Sequence, residues 1–177
     1  IAVSKKGTSI VNESELQNAL REKIWHYKLQ THEQLMLQVA EARAQGKKIV
    51  FTNGCFDVIH RGHIQYLQEA AALGDLLILG LNSDESVSRL KGSQRPVNSQ
   101  DDRAFVLGNL QSIDWINIFE TDTPIELIQA IRPDVLVKGA DYSVEEVVGR
   151  EYAQEVKIVN FVDGYSTSNT LRKLEES

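Results

Sequence analysis

From Lys47 onward, short apolar runs alternate with segments whose apolar residues recur at helical spacing. Ile49-Val50-Phe51-Thr52 is a β-branched run of the kind buried in parallel sheets. Ile64, Leu67, Ala70 and Ala71 then share one helical face, and Leu76-Leu77-Ile78-Leu79-Gly80-Leu81 reads as a second buried strand. A helix is predicted over 83–89, a polar loop over 91–100, and another helix over 101–110. Trp115-Ile116-Asn117-Ile118-Phe119 is a third strand, and Pro124 marks a helix start, where its missing N–H costs nothing. Val135-Leu136-Val137 and Ile158-Val159 complete the strands, with helices predicted over 144–154 and 168–174. Alternation of this kind specifies an α/β fold: a Rossmann-like, mainly parallel sheet with helices on both faces. In such sheets ligands bind beyond the carboxyl ends of the strands.

Before Lys47 the pattern differs. Ile10-Val11 follows a turn and suggests a short strand, and Leu16, Leu20, Ile24 and Tyr27 fit one helical face. Thr31 with Gln34 has the capping-box spacing, and the helix it opens carries Leu35, Val39 and Ala42 and should stop near Gly46. The expected division is an extension over 1–30 and a domain over 31–177 with its core over 47–174. Trp25, Tyr27 and Leu29 are candidates to pack on another domain or on a second copy.

Composition narrows the function. With 19 Lys+Arg against 25 Asp+Glu the net charge is −6, which argues against a general nucleic-acid binder while leaving room for a basic pocket. One cysteine, Cys55, excludes an internal disulfide and a Cys-rich zinc site. No apolar run approaches the ~18–20 residues that span a bilayer, and no basic-then-apolar leader opens the chain, so no membrane partner and a reducing, cytoplasmic location are expected. The chain starts at Ile1 and its only methionine is Met36, so it is expected to be trimmed or cut from something longer.

Candidate chemistry concentrates after the first strand, in Thr52-Asn53-Gly54-Cys55-Phe56-Asp57-Val58-Ile59-His60-Arg61-Gly62-His63. Gly54 removes a side chain where the backbone turns and a ligand must approach. The next helix begins near Arg61, aiming its free N–H groups and positive dipole end at the same mouth. His60 and His63 straddle that start with Gly62 between them, and two imidazoles there can donate hydrogen bonds to phosphate oxygens as charge builds. Half of a metal site completed by Asp57, or a merely solvated helix start, are the competing readings. Cys55 lacks an obvious base and reads as a small residue in a tight turn rather than a nucleophile.

The motif G-x-F-D-x-x-H-x-G-H after a first strand resembles the cytidylyltransferase-like nucleotidyltransferase superfamily, which joins a nucleoside monophosphate to a phosphorylated acceptor and releases pyrophosphate. Class I aminoacyl-tRNA synthetases share H-x-G-H, but this chain is short for one and has no K-M-S-K-S segment. The resemblance continues in Asn82-Ser83-Asp84-Glu85, in residues 89–98, in 136–142 and in 163–170. Within the superfamily these segments are most similar to the adenylyltransferases that form ADP-heptose for the lipopolysaccharide core, and residues 7–11 are similar to the tail of a sugar-kinase domain. The resemblance implies ATP and a sugar 1-phosphate as substrates. Mg2+ would be held mainly by nucleotide phosphates, with no protein metal ligand named. His60, His63 and Lys91 would be catalytic. Thr52, Asn53, Gly54, Cys55, Phe56, Gly62, Arg95, Ser166, Thr167 and Ser168 would meet the nucleotide. Asp57, Lys138 and Asp141 would meet the sugar phosphate, and Asp84 is left as a helix-start charge. A homodimer, fused to or packed on a sugar-kinase domain, is the implied assembly. A CTP-dependent cytidylyltransferase acting on glycerol 3-phosphate or another phosphoalcohol, and a nucleotide-binding module without catalysis, are the alternatives.

Overall fold

A computed structural model describes residues 24–140 and 142–160 of the chain. Five strands, β1 (Ile49–Gly54), β2 (Leu76–Asn82), β3 (Trp115–Phe119), β4 (Val135–Gly139) and β5 (Glu155–Val159), form one parallel sheet in the order β3-β2-β1-β4-β5. The helices are α1 (Ile24–Lys28), α2 (His32–Ala44), α3 (Arg61–Ala71), α4 (Asp84–Lys91), α5 (Gln100–Gly108) and α6 (Ile125–Ile131).

Pleating sends alternate residues of each strand to opposite faces, and both faces are covered. On one side Val50, Leu77, Leu79 and Leu81 pack with Tyr66 and Leu67 of α3 and with Ala104 and Leu107 of α5. On the other, Ile49, Phe51 and Ile78 pack with Leu35 and Val39 of α2 and with Leu127 and Ile128 of α6. Phe51 and Leu79 are fully enclosed, and burial of each such side chain contributes about 1.5–3 kcal/mol.

The two ends of the sheet differ. At the amino end, carboxylates seal the strand starts: Asp75 accepts from the Lys48 N–H, Asp134 from Ile49 and Asp114 from Leu77, at 2.7–2.8 Å. The carboxyl ends stay open to loops, and the cavity lies there. Thr31 caps α2 in the expected box with Gln34.

Residues 24–30 pack against this sheet. Leu29 bridges in parallel to Ile116, the Gln30 N–H donates to the Ile116 carbonyl at 2.8 Å, and the Asn117 amide returns a bond to the Gln30 carbonyl at 2.9 Å. The Trp25 ring meets Phe105 edge-on with centroids 5.3 Å apart, and a Cβ on Gly108 would lie 2.8 Å from that of Trp25. This segment covers the outer edge of β3, which would otherwise present unpaired backbone groups. Trp25 and Leu29, expected to pack on another domain or on a second copy, are engaged with Phe105 and Ile116 here, whereas Tyr27 remains exposed.

One predicted helix is absent. Residues 144–154 form two single 3-10 turns, Val144–Glu146 and Arg150–Tyr152. Gly149 between them has φ +81, outside the helical region, and sits so close to Ile128 that a Cβ would come within 2.8 Å of its side chain. The strand expected at Ile10-Val11 and the helix over 168–174 lie outside the described residues. Among the described residues, no helix is long and apolar enough to cross a membrane.

Candidate active site

A cavity of about 530 Å³ opens at the carboxyl ends of β1, β2 and β4, between the β1–α3 loop and the end of α4. Its size fits a nucleotide-sized ligand. The β1 strand delivers Asn53 and Gly54 to it, and the chain then turns through Phe56 at φ +45. The turn folds the Phe56 ring over Gly54, where a Cβ would stand 2.9 Å from the ring. Glycine is thus required by an intramolecular contact as well as by access for a ligand.

His60 is the N-cap of α3 and offers no side-chain cap, so its ring is directed elsewhere. It stacks on His63, with centroids 3.9 Å apart and planes 21° from parallel. His63 lines the cavity and also faces the Phe56 ring at 5.2 Å. Burial, then the proximity of His60 and Lys91, pushes the His63 pKa down to about 4. Burial lowers the His60 pKa as well. Both rings are consequently neutral near pH 7, as close stacking requires. The His63 Nδ1 is buried without a hydrogen-bond partner among the described residues. Gly62 is buried between the two.

Two lysines complete the cavity wall. Lys91 ends α4, with Gly92 following at φ +95, a conformation that favours glycine and releases the chain into the loop. Lys138, on β4, is nearly enclosed; its ammonium donates to Asn53 Oδ1 at 2.5 Å and lies 5.3 Å from the Tyr142 ring centroid. Cys55 also lines the cavity, and burial raises its thiol pKa, opposite to what a nucleophile needs.

Three expected contacts take a different form. The Thr52 side chain is fully buried beneath the cavity; Thr52 Oγ1 and the Tyr66 hydroxyl share a bond of 2.6 Å, and both reach the Val137 carbonyl at 3.0 and 3.2 Å. Its side chain joins β1, β4 and α3 instead of facing a nucleotide. The Asp57 carboxylate borders the cavity but is engaged by Arg95 Nε at 2.5 Å and by the Val97 and Asn98 N–H groups at 2.7 and 3.0 Å. Burial pushes its pKa up, but the Asn98 amide, Arg95 and the Val97 amide outweigh that, leaving it below the ordinary value. Arg95 is spent on the same pair, with one buried guanidinium nitrogen unpartnered among the described residues. Asp57 thus pins the 95–98 loop, which leaves it little capacity for sugar hydroxyls or for a metal. Among the described residues no three His, Cys, Asp or Glu side chains gather as a metal site would require. Asp141, Ser166, Thr167 and Ser168 lie outside the described residues.

Sequence reading passed over Tyr66 and Arg103, the buried polar residues beneath the site. Arg103 is 1% exposed and contacts Cys55, Asn82, Asp84 and Asn98. One signal was available: Arg103 shares a helical face with Leu107, an arginine where the pattern calls for an apolar residue.

The sheet, the H-x-G-H turn and the cavity define a nucleotidyltransferase fold, and the chain belongs to the cytidylyltransferase-like family, whose model matches residues 51–171. It is 48% identical over 180 residues to the bifunctional protein HldE of Aliarcobacter butzleri, and 50% identical over 177 residues to the HldE protein of Helicobacter pylori strain G27. Each alignment covers 100% of this chain but only 38% and 37% of the relative, so the chain spans under two-fifths of these proteins. A solved structure of the lipopolysaccharide core biosynthesis protein from Thermoplasma volcanium superimposes with a TM-score of 0.56 at 27% identity, covering 68% of this chain and 100% of that one.

Proposed function

We propose that the chain transfers AMP from ATP to a sugar 1-phosphate, D-glycero-D-manno-heptose 1-phosphate, giving an ADP-sugar and pyrophosphate. The observation that carries this is the pair of stacked, neutral imidazoles at the N-terminus of α3, beside a cavity also lined by Lys91 and Lys138. The likeness of the whole chain to part of the HldE proteins, and of two-thirds of it to a lipopolysaccharide core biosynthesis protein, supports a sugar phosphate over a phosphoalcohol as acceptor.

In this reaction a phosphate oxygen of the acceptor attacks the α-phosphorus of ATP, and pyrophosphate departs from the opposite side. An acceptor phosphate is ionised near neutral pH, so no strong base is needed; the problem is repulsion between two polyanions. At an effective dielectric of about 20, a unit charge at 4 Å is worth about 4 kcal/mol, so each cation held at the cavity offsets much of that repulsion. Lys138 would hold the acceptor phosphate and Lys91, free to swing above Gly92, the triphosphate. Neutral His60 and His63 would donate N–H bonds to the α-phosphate oxygens, where charge grows in the transition state. Mg2+ enters as part of the Mg–ATP substrate, since it favours phosphate oxygens and water over all-protein cages. In the full-length protein this unit would be joined to a sugar-kinase domain, act in the cytoplasm and dimerise.

Incubation with each nucleoside triphosphate, Mg2+ and a panel of sugar and alcohol phosphates tests the reading through pyrophosphate release. Release with ATP and heptose 1-phosphate is expected. Release confined to CTP with glycerol 3-phosphate would make the chain a cytidylyltransferase, and none with any pair would leave only a binding module.

A further inference from the structure

We propose that Arg103, through Asp84 and three main-chain carbonyls, is a positioning residue that fixes Lys91 of α4 relative to the histidine-bearing loop. The inference rests on the function proposed above, in which Lys91 meets the nucleotide phosphates. Arg103 lies on α5, and its guanidinium reaches four acceptors on three segments: the β1–α3 loop, the β2–α4 junction and the loop before α5. Nε donates to the Asn98 carbonyl at 3.1 Å, one terminal nitrogen to the Cys55 and Asn82 carbonyls at 2.6 and 2.9 Å, and the other to Asp84 Oδ1 at 2.7 Å.

Those acceptors are parts of the site. Cys55 stands in the turn between Gly54 and the two histidines, and Asn82 ends β2 at the cavity floor. Asn98 closes the loop that Asp57 pins from its other side. Asp84 is the first residue of α4, and Lys91 is the last. The helix is eight residues long, roughly 12 Å, so a small tilt at its first turn carries through to the lysine at the other end. One rigid, planar cation therefore sets the spacing between the donors on the β1–α3 loop and the lysine across the cavity.

The geometry also shows why lysine cannot substitute. A guanidinium presents five donors along a flat fork, whereas an ammonium presents three from a single point. Arg103→Lys keeps the buried charge opposite Asp84 but cannot span carbonyls on three segments. Loss of that span loosens the frame without removing any group that touches substrate.

The test is a double-mutant cycle on purified protein with ATP and heptose 1-phosphate, pairing Arg103→Lys with Lys91→Ala. In the wild-type background Arg103→Lys is expected to lower kcat at least about tenfold at a temperature where the variant stays folded. In the Lys91→Ala background the same change should cost no more than about twofold, because its target is already gone. Equal falls in both backgrounds, or an unchanged kcat in the folded variant, would overturn the inference while leaving the proposed function intact. A wild-type chain that releases no pyrophosphate with any substrate pair removes both. A second readout needs no turnover: Cys55 is the chain's single thiol, and its labelling by an aromatic disulfide reagent should accelerate in Arg103→Lys as its carbonyl tether is lost. An unchanged labelling rate counts against the frame. Should Arg103→Lys fail to fold, Asp84→Asn, whose carboxylate is partly exposed, cuts the same link to α4 and takes its place in the cycle.

Discussion

Substitution of His63 by Gln should flatten the acid side of the stability profile, and the size of the effect follows from where the imidazole sits. In the folded chain its pKa is pushed to about 4, chiefly by burial and further by His60 and Lys91, against an ordinary value of 6.5. The folded-state pKa thus lies below the unfolded one, so the unfolded chain takes up the proton first as the pH falls. Stability is intact above about pH 6.5, declines between 6.5 and 4, and is fully lost for this group below 4. From pH 7 to pH 5, values of 6.5 and about 4 correspond to about 2 kcal/mol. His63 is only partly enclosed, and solvent screening reduces this to about 1 kcal/mol or slightly more.

Urea unfolding at pH 7 and pH 5 measures the difference directly. Wild type should lose about 1 kcal/mol more than His63→Gln over that interval, a difference of roughly 0.5 M in midpoint shifts for a urea m-value near 2 kcal/mol/M. Titrating groups that lie away from His63 are present in both proteins and largely cancel. Equal pH slopes would refute the reasoning: His63 would then titrate in the ordinary imidazole range, and its burial at α3 would not hold it neutral into the acid range.

Replacing His60 or His63 with Ala should lower turnover by ~10²–10³ in pyrophosphate-release assays while changing ATP affinity far less, by analogy with oxyanion-hole donors; wild-type turnover in either variant would remove the histidines from catalysis. Lys138→Ala should raise the KM for the sugar phosphate, and an effect on ATP alone would count against an acceptor role. Asp57→Asn should destabilise the fold by about 3 kcal/mol in thermal or urea unfolding, because Arg95 would keep a buried charge without its counter-ion. If Asp57 binds sugar instead, that variant would unfold like wild type and show only a raised acceptor KM. Gly54→Ala should cost about 1–3 kcal/mol by the same measurement, since the added methyl meets the Phe56 ring.

The strands were legible because a sheet buried on both faces needs unbroken apolar runs, and Ile49–Phe51 and Leu76–Leu81 supply them. Capping at Thr31 was legible because both partners lie within one turn. Residues 144–154 misled because they contain helix-compatible Val and Glu residues, and only the approach of Ile128 to Gly149 explains the break. Residues 24–30 misled for a related reason: their partners, Ile116 and Gly108, lie some eighty to ninety positions away. The motif pointed to the histidines and the resembling segments 89–98 and 136–142 to the two lysines, and the structure gathers His63, Lys91 and Lys138 around one cavity. It did not show that the Asp57 carboxylate also accepts from main-chain amides of the 95–98 loop.

The silence of the sequence on such bonds has a general cause in this fold. A site at the carboxyl end of a parallel sheet is assembled from loops of different crossovers, and its precision depends on what ties those loops together. Here the ties are Asp57, which accepts from two main-chain amides, and Arg103, which donates to three main-chain carbonyls. Main-chain partners have no side-chain identity, so no residue pattern at Val97, Asn98, Cys55 or Asn82 discloses them. The tying residue alone can show itself, as a charge in an unexpected place: an aspartate bordering the cavity, or an arginine on the apolar face of α5. In a chain with a net charge of −6, buried cations such as Arg103 and Lys138 are therefore informative. Each must repay the cost of desolvation, one by framing the loops and the other, on the proposed function, by meeting a phosphate.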